Sequence, residues 1–238
     1  YNTVIPNYKN DGEEDPFTYF KLFFKYYKEC RATEIDSYIE KIKDLDFLEY
    51  IDSDGEYCRW TAHMIYYPDD RLKEYFCAKA NAPFLALEQY TDEFPNDGNL
   101  IPFFNELGIA HLPRVFHRPL GPRERAKYPG LPREYSTKYQ LYRETRIDGC
   151  IELAEYIAQS GDANKSYCLW NMLLAVFDEN PDIEVNGKYE YYYYSPHTIP
   201  FKSLTAKKLR EEKWLVSSDG SFICAEGTTL SLLSGEYD

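Results

Sequence analysis

What the 238-residue chain lacks narrows its chemistry first. Its six cysteines (Cys30, Cys58, Cys77, Cys150, Cys168 and Cys224) form no CxxC pair. A chain of this length can bury a core without covalent staples, so reduced thiols are expected rather than a disulfide framework. His63, His111, His117 and His197 make no ligand-spaced set with those cysteines, and no metal is expected. No apolar run approaches the ~20 residues of a membrane span, and no secretory leader is visible, which favours a soluble, cytoplasmic protein. Positive charge is also short. Lys and Arg number 27 against 40 Asp and Glu, and the net charge of −13 opposes a nucleic-acid surface spread over the whole molecule. Adjacent carboxylates such as Glu13-Glu14 and Asp69-Asp70 read as solubilising charge, with no nucleophile–base constellation beside them, so neither an enzyme nor a bound cofactor is expected.

What is present begins with a phrase written twice. FLEYIDSDGEYC (47–58) and WLVSSDGSFIC (214–224) each set an apolar run before Asp-Gly and a second aromatic-aliphatic run after it. That grammar predicts β-hairpins with Gly55 and Gly220 in the turns, because glycine accepts positive φ without steric cost. Each hairpin follows a helical pattern. Ile35, Tyr38, Ile39, Ile42 and Leu45 recur at helical spacing, with Thr33 and Asp36 as a capping pair, and Leu204 and Leu209 mark a second helix over about 203–213 with Ser203 as its cap. The unit is helix then hairpin, used twice. Cys58 and Cys224 hold equivalent places in it and are expected to be buried, unreactive thiols.

Ahead of the first copy, Asp15-Pro16 starts a helix whose Phe17, Phe20, Phe23, Phe24 and Tyr27 share one aromatic face. A short helix follows Pro68 and carries Leu72, Tyr75 and Phe76. Residues 84–87 read as a buried strand, and 99–107 as a helix with Gly108 just past its end. Helical spacing returns with Ile147, Ile151, Ala154 and Ile157 or Ala158, capped by Asp148, and with Leu169, Trp170, Leu173, Leu174 and Phe177, ended by Asn180-Pro181. These two helices are expected to pack together. Asn186-Gly187 then signals a turn before a strand with Tyr189, Tyr191 and Tyr193 on one face and Glu190, Tyr192 and Tyr194 on the other. Such a strand is either a stacking platform or, more plainly, a sheet strand buried on at least one side. The fold class is α+β, helix-rich with short antiparallel hairpins.

The stretch 113–135 carries five prolines and reads as a long irregular crossing. Residues 114–146 hold nine Arg or Lys against three Glu, a net +6 in an otherwise acidic chain. Three segments follow from this: a helix and hairpin subdomain over 1–112, a Pro-rich basic crossing over 113–146, and a second helical and hairpin part over 147–238. The basic residues either compensate the acidic remainder or meet a partner, for which Arg118, Arg123, Arg125 and Lys127 are the candidates.

In order along the chain, FLEYIDSDGEYCRWTAHMIYYPDDRLKEYF, FFNELGIAHLPRVF, LWNMLLAVF, KYEYYYYSPH and KKLREEKWLVSSDGSFICAEGTTLSLL resemble the region downstream of the ATPase in sacsin-like proteins. Those are large proteins with a GHKL-type, chaperone-related ATP-binding module at the amino terminus. Thr61-Ala62 and Ala225-Glu226 stand where the family often has a proline. The helix with Glu and Asn, and the Asp-x-Gly-x-Gly segment that a GHKL nucleotide site needs, are absent from this chain. The resemblance therefore implies a non-catalytic piece of a longer protein, a structural or interaction module without its own cofactor. Its implied partners are the ATPase domain of the parent chain and a protein client. The alternative is a nucleic-acid-associated module of a defence or repair protein, working through the basic segment; no membrane partner is expected.

Overall fold

A computed structural model describes residues 16–52, 55–79, 81–126, 128, 130–132 and 139–237. The fold is α+β with antiparallel sheets, and the chain divides into two compact units. The first is drawn from Tyr1–Lys73 and Ala80–His111, the second from Glu74–Lys79 and Leu112–Asp238. No helix among the described residues is long and apolar enough to cross a membrane.

The first unit grows around aromatic rings. Helix α1 (Pro16–Glu29) buries Tyr19, Phe20, Phe23 and Phe24 at i, i+1, i+4 and i+5, a stripe wide enough to face a core. Helix α2 (Ile35–Ile42) follows a 3-10 turn at Ala32–Glu34, and the expected Thr33/Asp36 cap is not formed, because that turn takes up the residues a cap would need. Strands β1 (Leu48–Ile51) and β2 (Tyr57–Trp60) make the first hairpin. Helix α3 (Asp70–Tyr75) begins where Asp69 Oδ1 accepts the Leu72 amide at 2.9 Å. Strand β3 covers only Phe84–Leu85, since Leu87 already starts helix α4 (Leu87–Glu93), so the strand expected over 84–87 is half the length. Helix α5 (Leu100–Leu107) ends on Gly108 at φ 86°. The sheet order is β2-β1-β3. Phe20 lies within 5.8 Å, centroid to centroid, of Phe24, Phe94, Phe103 and Phe104, and 4.5 Å from Tyr90. Tilted and stacked rings at these distances add attraction beyond the area they bury. Two of the buried phenols bond to backbone: Tyr38 donates to the Phe23 carbonyl and Tyr90 accepts the Glu49 amide, both at 2.8 Å.

The second unit holds a four-stranded antiparallel sheet, β4 (Val115–Pro119), β5 (Gln140–Ile147), β6 (Gly187–Tyr193) and β7 (Ser195–Phe201), in that order. The stretch expected to be an irregular crossing is therefore partly regular. Its prolines sit at the ends of β4 and in the connection, which includes helix α6 (Pro122–Arg125), and the edge strand loses no ladder bond that an internal one would need. Helix α7 (Cys150–Ser160) starts two residues later than its expected cap, Asp148. Ile147 is still paired in β5, and Asp148 receives Lys79 Nζ at 2.5 Å instead. Helix α8 (Ala163–Glu179) packs on α7 and is capped by Asp162, which accepts the Lys165 amide at 3.2 Å. Helix α9 (Leu204–Glu211), capped by Ser203 Oγ on the Ala206 amide at 3.0 Å, leads into the hairpin β8 (Lys213–Val216) and β9 (Phe222–Cys224).

The helix–hairpin unit thus occurs in both halves, and its turns close alike. The Asp52 amide donates to the Glu56 carbonyl at 3.0 Å and the Gly55 amide to Asp52 at 3.2 Å; Ser217–Ser221 and Gly220–Ser217 repeat this, both at 2.9 Å. Gly55 and Gly220 both have φ +82°. Asp54, beside the first, lies outside the described residues, as do Glu13, Glu14 and Asp15. The two cysteines are half-buried rather than buried, because β2 and β9 each lie at a sheet edge.

Gly187 is not in a turn, where Asn186-Gly187 would put it. It is the first residue of β6, opposite Phe201, and a Cβ there would lie 2.3 Å from the Phe201 ring. Gly187→Ala is expected to cost about 1–3 kcal/mol through overpacking. Gly220→Val, with open space around it, should cost a similar ~1–3 kcal/mol from backbone strain alone. Gly98→Ala, neither crowded nor at positive φ, should leave the urea midpoint where it is; equal midpoints for all three variants would contradict both accounts.

Candidate functional site

The sheet of the second unit has two unlike faces, because side chains alternate along each strand. One face takes Arg118, Tyr142, Glu144, Arg146, Tyr189 and Tyr191. At its centre Glu144 is buried, 1% exposed, in the middle of β5. Arg118 Nε donates to its Oε1 at 2.8 Å and Arg146 Nε at 2.6 Å; the Tyr128 hydroxyl donates to Oε2, and the first amide of α9, Leu204 N, approaches Oε2 at 3.4 Å. Burial alone would raise this carboxyl's pKa, but the phenol and the two guanidinium groups outweigh it and hold it below the ordinary value. The same carboxylate, with burial acting first, pushes the Tyr128 phenol up to about 12.

Of the sequence candidates, Arg118 joins this cluster and also reaches Glu124 Oε1 at 2.6 Å. Glu124 Oε2 in turn accepts the Gly121 amide at 3.0 Å and starts α6. Arg125 lies over the Tyr142 ring at 4.9 Å. Arg123 is exposed, and Lys127 lies outside the described residues. Arg118 and Arg125 are therefore engaged within their own unit, whereas Arg123 faces solvent.

From Arg125 an aromatic ladder continues across the sheet: Tyr142 on Tyr189 at 4.2 Å, Tyr189 on Tyr191 at 5.2 Å, Tyr191 on His197 at 5.1 Å, all stacked. It braces the β6–β7 hairpin to its tip. There the chain reverses at Tyr194, whose φ of 58° is left-handed and uncommon for any residue but glycine. Tyr192, Tyr193 and Tyr194 are 55%, 56% and 86% exposed, and Tyr139, whose carbonyl accepts the Tyr192 amide at 3.3 Å, is 53% exposed. Four tyrosines at one end of a sheet form an aromatic surface, and residues 191–199 contain no Lys, Arg, Asp or Glu.

The opposite face carries His117, Arg143, Thr145, Lys188, Glu190 and Tyr192. A cleft of about 330 Å³ opens on it, walled by the α8–β6 connection through Asp182 and Glu184. Arg143 pairs with Glu190 at 3.6 Å and Lys188 with Glu184 at 3.1 Å, while His117 Nδ1 meets Thr145 Oγ1 at 3.1 Å. The sequence offered no sign of this cleft, since its walls come from three separated stretches. The tyrosines were visible, but which of them faced solvent depends on the pairing of β6.

No protein-family model, curated protein or solved structure matches the chain. The site must be read from its own chemistry. Among the described residues no group of His, Cys, Asp and Glu is placed to hold a metal ion. Burial lifts the Cys150 thiol to about 12 and the Cys168 thiol to about 11, so both stay protonated at neutral pH and are poor nucleophiles. What the second unit offers is a braced sheet with an aromatic tip and a polar cleft, a surface suited to binding.

Glu144 gives a pH test. A carboxyl whose folded pKa is lowered adds stability above its ordinary value of 4.5, and that stability is lost as pH falls through the lower folded value. Glu144→Gln should cost about 2–4 kcal/mol at pH 7, because two arginines lose their shared counter-charge. The gap between variant and parent melting temperatures should then narrow between pH 5 and 3, on the scale of ordinary and lowered carboxyl pKa values. A gap that stays constant over that range would show that the charge is not what matters.

Proposed function

We propose that the chain is a non-catalytic interaction module, part of a larger sacsin-like, GHKL-type ATPase, and that it meets a protein partner through the tyrosine tip of the β6–β7 hairpin. The ATPase parentage rests on the order of sequence blocks that resemble that family. The interaction reading rests on one observation: a non-glycine residue, Tyr194, is held in left-handed backbone at the most exposed point of a braced hairpin. Such a conformation costs about 1–3 kcal/mol, and the fold could avoid that cost with glycine. Tyrosine supplies large contact area with few rotatable bonds to freeze, which is what a protein-binding surface needs.

The nucleic-acid alternative draws on the basic segment. Arg118 and Arg125 face their own unit there, and the chain's net charge of −13 repels phosphate. The protein reading is therefore the better supported.

Two measurements test the proposal. Calorimetric titration of the chain with ATP and magnesium should be flat, and a stoichiometric isotherm would overturn the non-catalytic reading. A photo-crosslinking residue at Tyr193, in cells that make the protein, should give a discrete protein adduct that the same residue at Leu22 does not. Tyr194→Gly should leave the melting temperature unchanged or higher and still diminish that adduct. The same adduct from both positions, or one indifferent to Tyr194→Gly, refutes the tip as a contact.

A further inference from the structure

The partner's chemistry can be argued from the cleft beside the tip. This step rests on the interaction reading above. Strand alternation puts Tyr192 on the same face as Lys188 and Glu190, and Tyr139 on the same face as Arg143, so the aromatic surface runs into the 330 Å³ cleft. Both cations of the cleft are already matched, Arg143 by Glu190 and Lys188 by Glu184. Asp182, exposed on the wall, has no ion-pair partner among the described residues. Among the described residues the cleft thus carries one negative charge more than it has cations to match, in a chain that is itself at −13.

How the partner is held also follows from the sheet. The Tyr192 amide donates to the carbonyl of Tyr139, the residue before β5, so Tyr192 and the opposite Pro196 form a non-hydrogen-bonded pair, and Pro196 turns its backbone toward the outer edge of β7. Pro200 has the same parity, and neither proline has an N–H. Between Pro196 and Pro200 only Thr198 keeps an outward amide on that edge, which blocks strand addition. Recognition falls to side chains on the open face.

We propose that this face binds an extended basic peptide segment of a partner protein, with a Lys or Arg side chain seated in the cleft against Asp182 and its neighbours lying on Tyr139 and Tyr192. An ammonium or guanidinium group satisfies Asp182, and a second one is attracted to the tyrosine rings by their negative faces. An acidic segment would meet Asp182 with like charge, the cations beside it being already paired.

Fluorescence anisotropy of the 238-residue chain with three labelled probes tests this: a twelve-residue peptide of repeated Gly-Arg-Ser-Gly, its Glu-for-Arg counterpart, and oligo-dT. The Arg peptide should bind, and more weakly as salt rises. Asp182→Asn and Tyr192→Ala should each weaken it by about 5- to 20-fold, the range of one charge-assisted or one stacking contact, without moving the melting temperature. Affinity unchanged in Asp182→Asn, or no binding of the Arg peptide, overturns the inference, and leaves the crosslinking result at Tyr193 to decide the interaction reading separately. Tyr192-dependent binding of the Glu peptide overturns the basic partner while keeping the protein-binding surface. Tighter binding of oligo-dT than of the Arg peptide overturns both.

Discussion

The second unit depends on one buried negative charge. Glu144 sits in a central strand, where an ionised carboxylate without partners would not survive desolvation. Its four donors come from four separate places: Arg118 from β4, Tyr128 from the segment after α6, Arg146 from its own strand and the amide of Leu204 from α9. Satisfying one carboxylate therefore fixes the edge strand, the following segment and the helix that leads into the second hairpin. Removing the charge would leave two guanidinium groups beside each other on one face of the sheet without their shared counter-charge, which is worse for the fold than never having buried the group. Among the described residues the first unit has no buried charge of this kind. Its elements converge on Phe20 and the rings around it, and non-directional burial does there what directed hydrogen bonds do in the second.

Local signals were legible in the sequence wherever a residue acts on its own neighbours. The stripe of Phe20, Phe23 and Phe24, the cap at Ser203, Gly108 past the end of α5 and the helix-then-hairpin unit all depend on spacing within one or two turns of chain. Errors arose where a distant partner decides. Gly187 belongs in a strand because Phe201, fourteen positions later, fills the space of its missing side chain. Asp148 looks like a cap but is drawn to Lys79, far back in the chain. The five prolines argue against helix and cannot tell an edge strand from a loop, because both tolerate a missing N–H.

The candidate site divides the same way. A run of tyrosines is plain in the sequence, and so is its alternation, but exposure at Tyr192, Tyr193 and Tyr194 follows from the place where β6 outruns the strands beside it. Gln140, the first residue of β5, already pairs with Tyr191, so beyond that point the ladder on that side thins to the one bond from the Tyr192 amide to Tyr139, while Tyr192 and Tyr193 stay in register with β7. The inner tyrosines, Tyr189 and Tyr191, stack with Tyr142 and His197 and lend the tip its stiffness. One sequence motif thus performs two tasks, bracing and presenting, and only the strand register separates them.

Charge in this chain is arranged against expectation by the same logic. The only concentrated positive stretch looks in sequence like a surface for an acidic partner, yet burying Glu144 creates a local demand for cations that nearby Arg118 and Arg146 meet. Arg118 meets Glu124 as well, which orders the start of α6. Those charges are used in building the sheet, and so lend little field to the exterior. The field outside is left to the unmatched carboxylates. Arg118 and Arg146 balance Glu144 and Glu124, so the rest of the chain keeps the full net charge of −13, and the uncharged aromatic tip rises out of that acidic exterior. An oncoming polyanion is repelled before it reaches the rings, whereas a basic segment is drawn toward them.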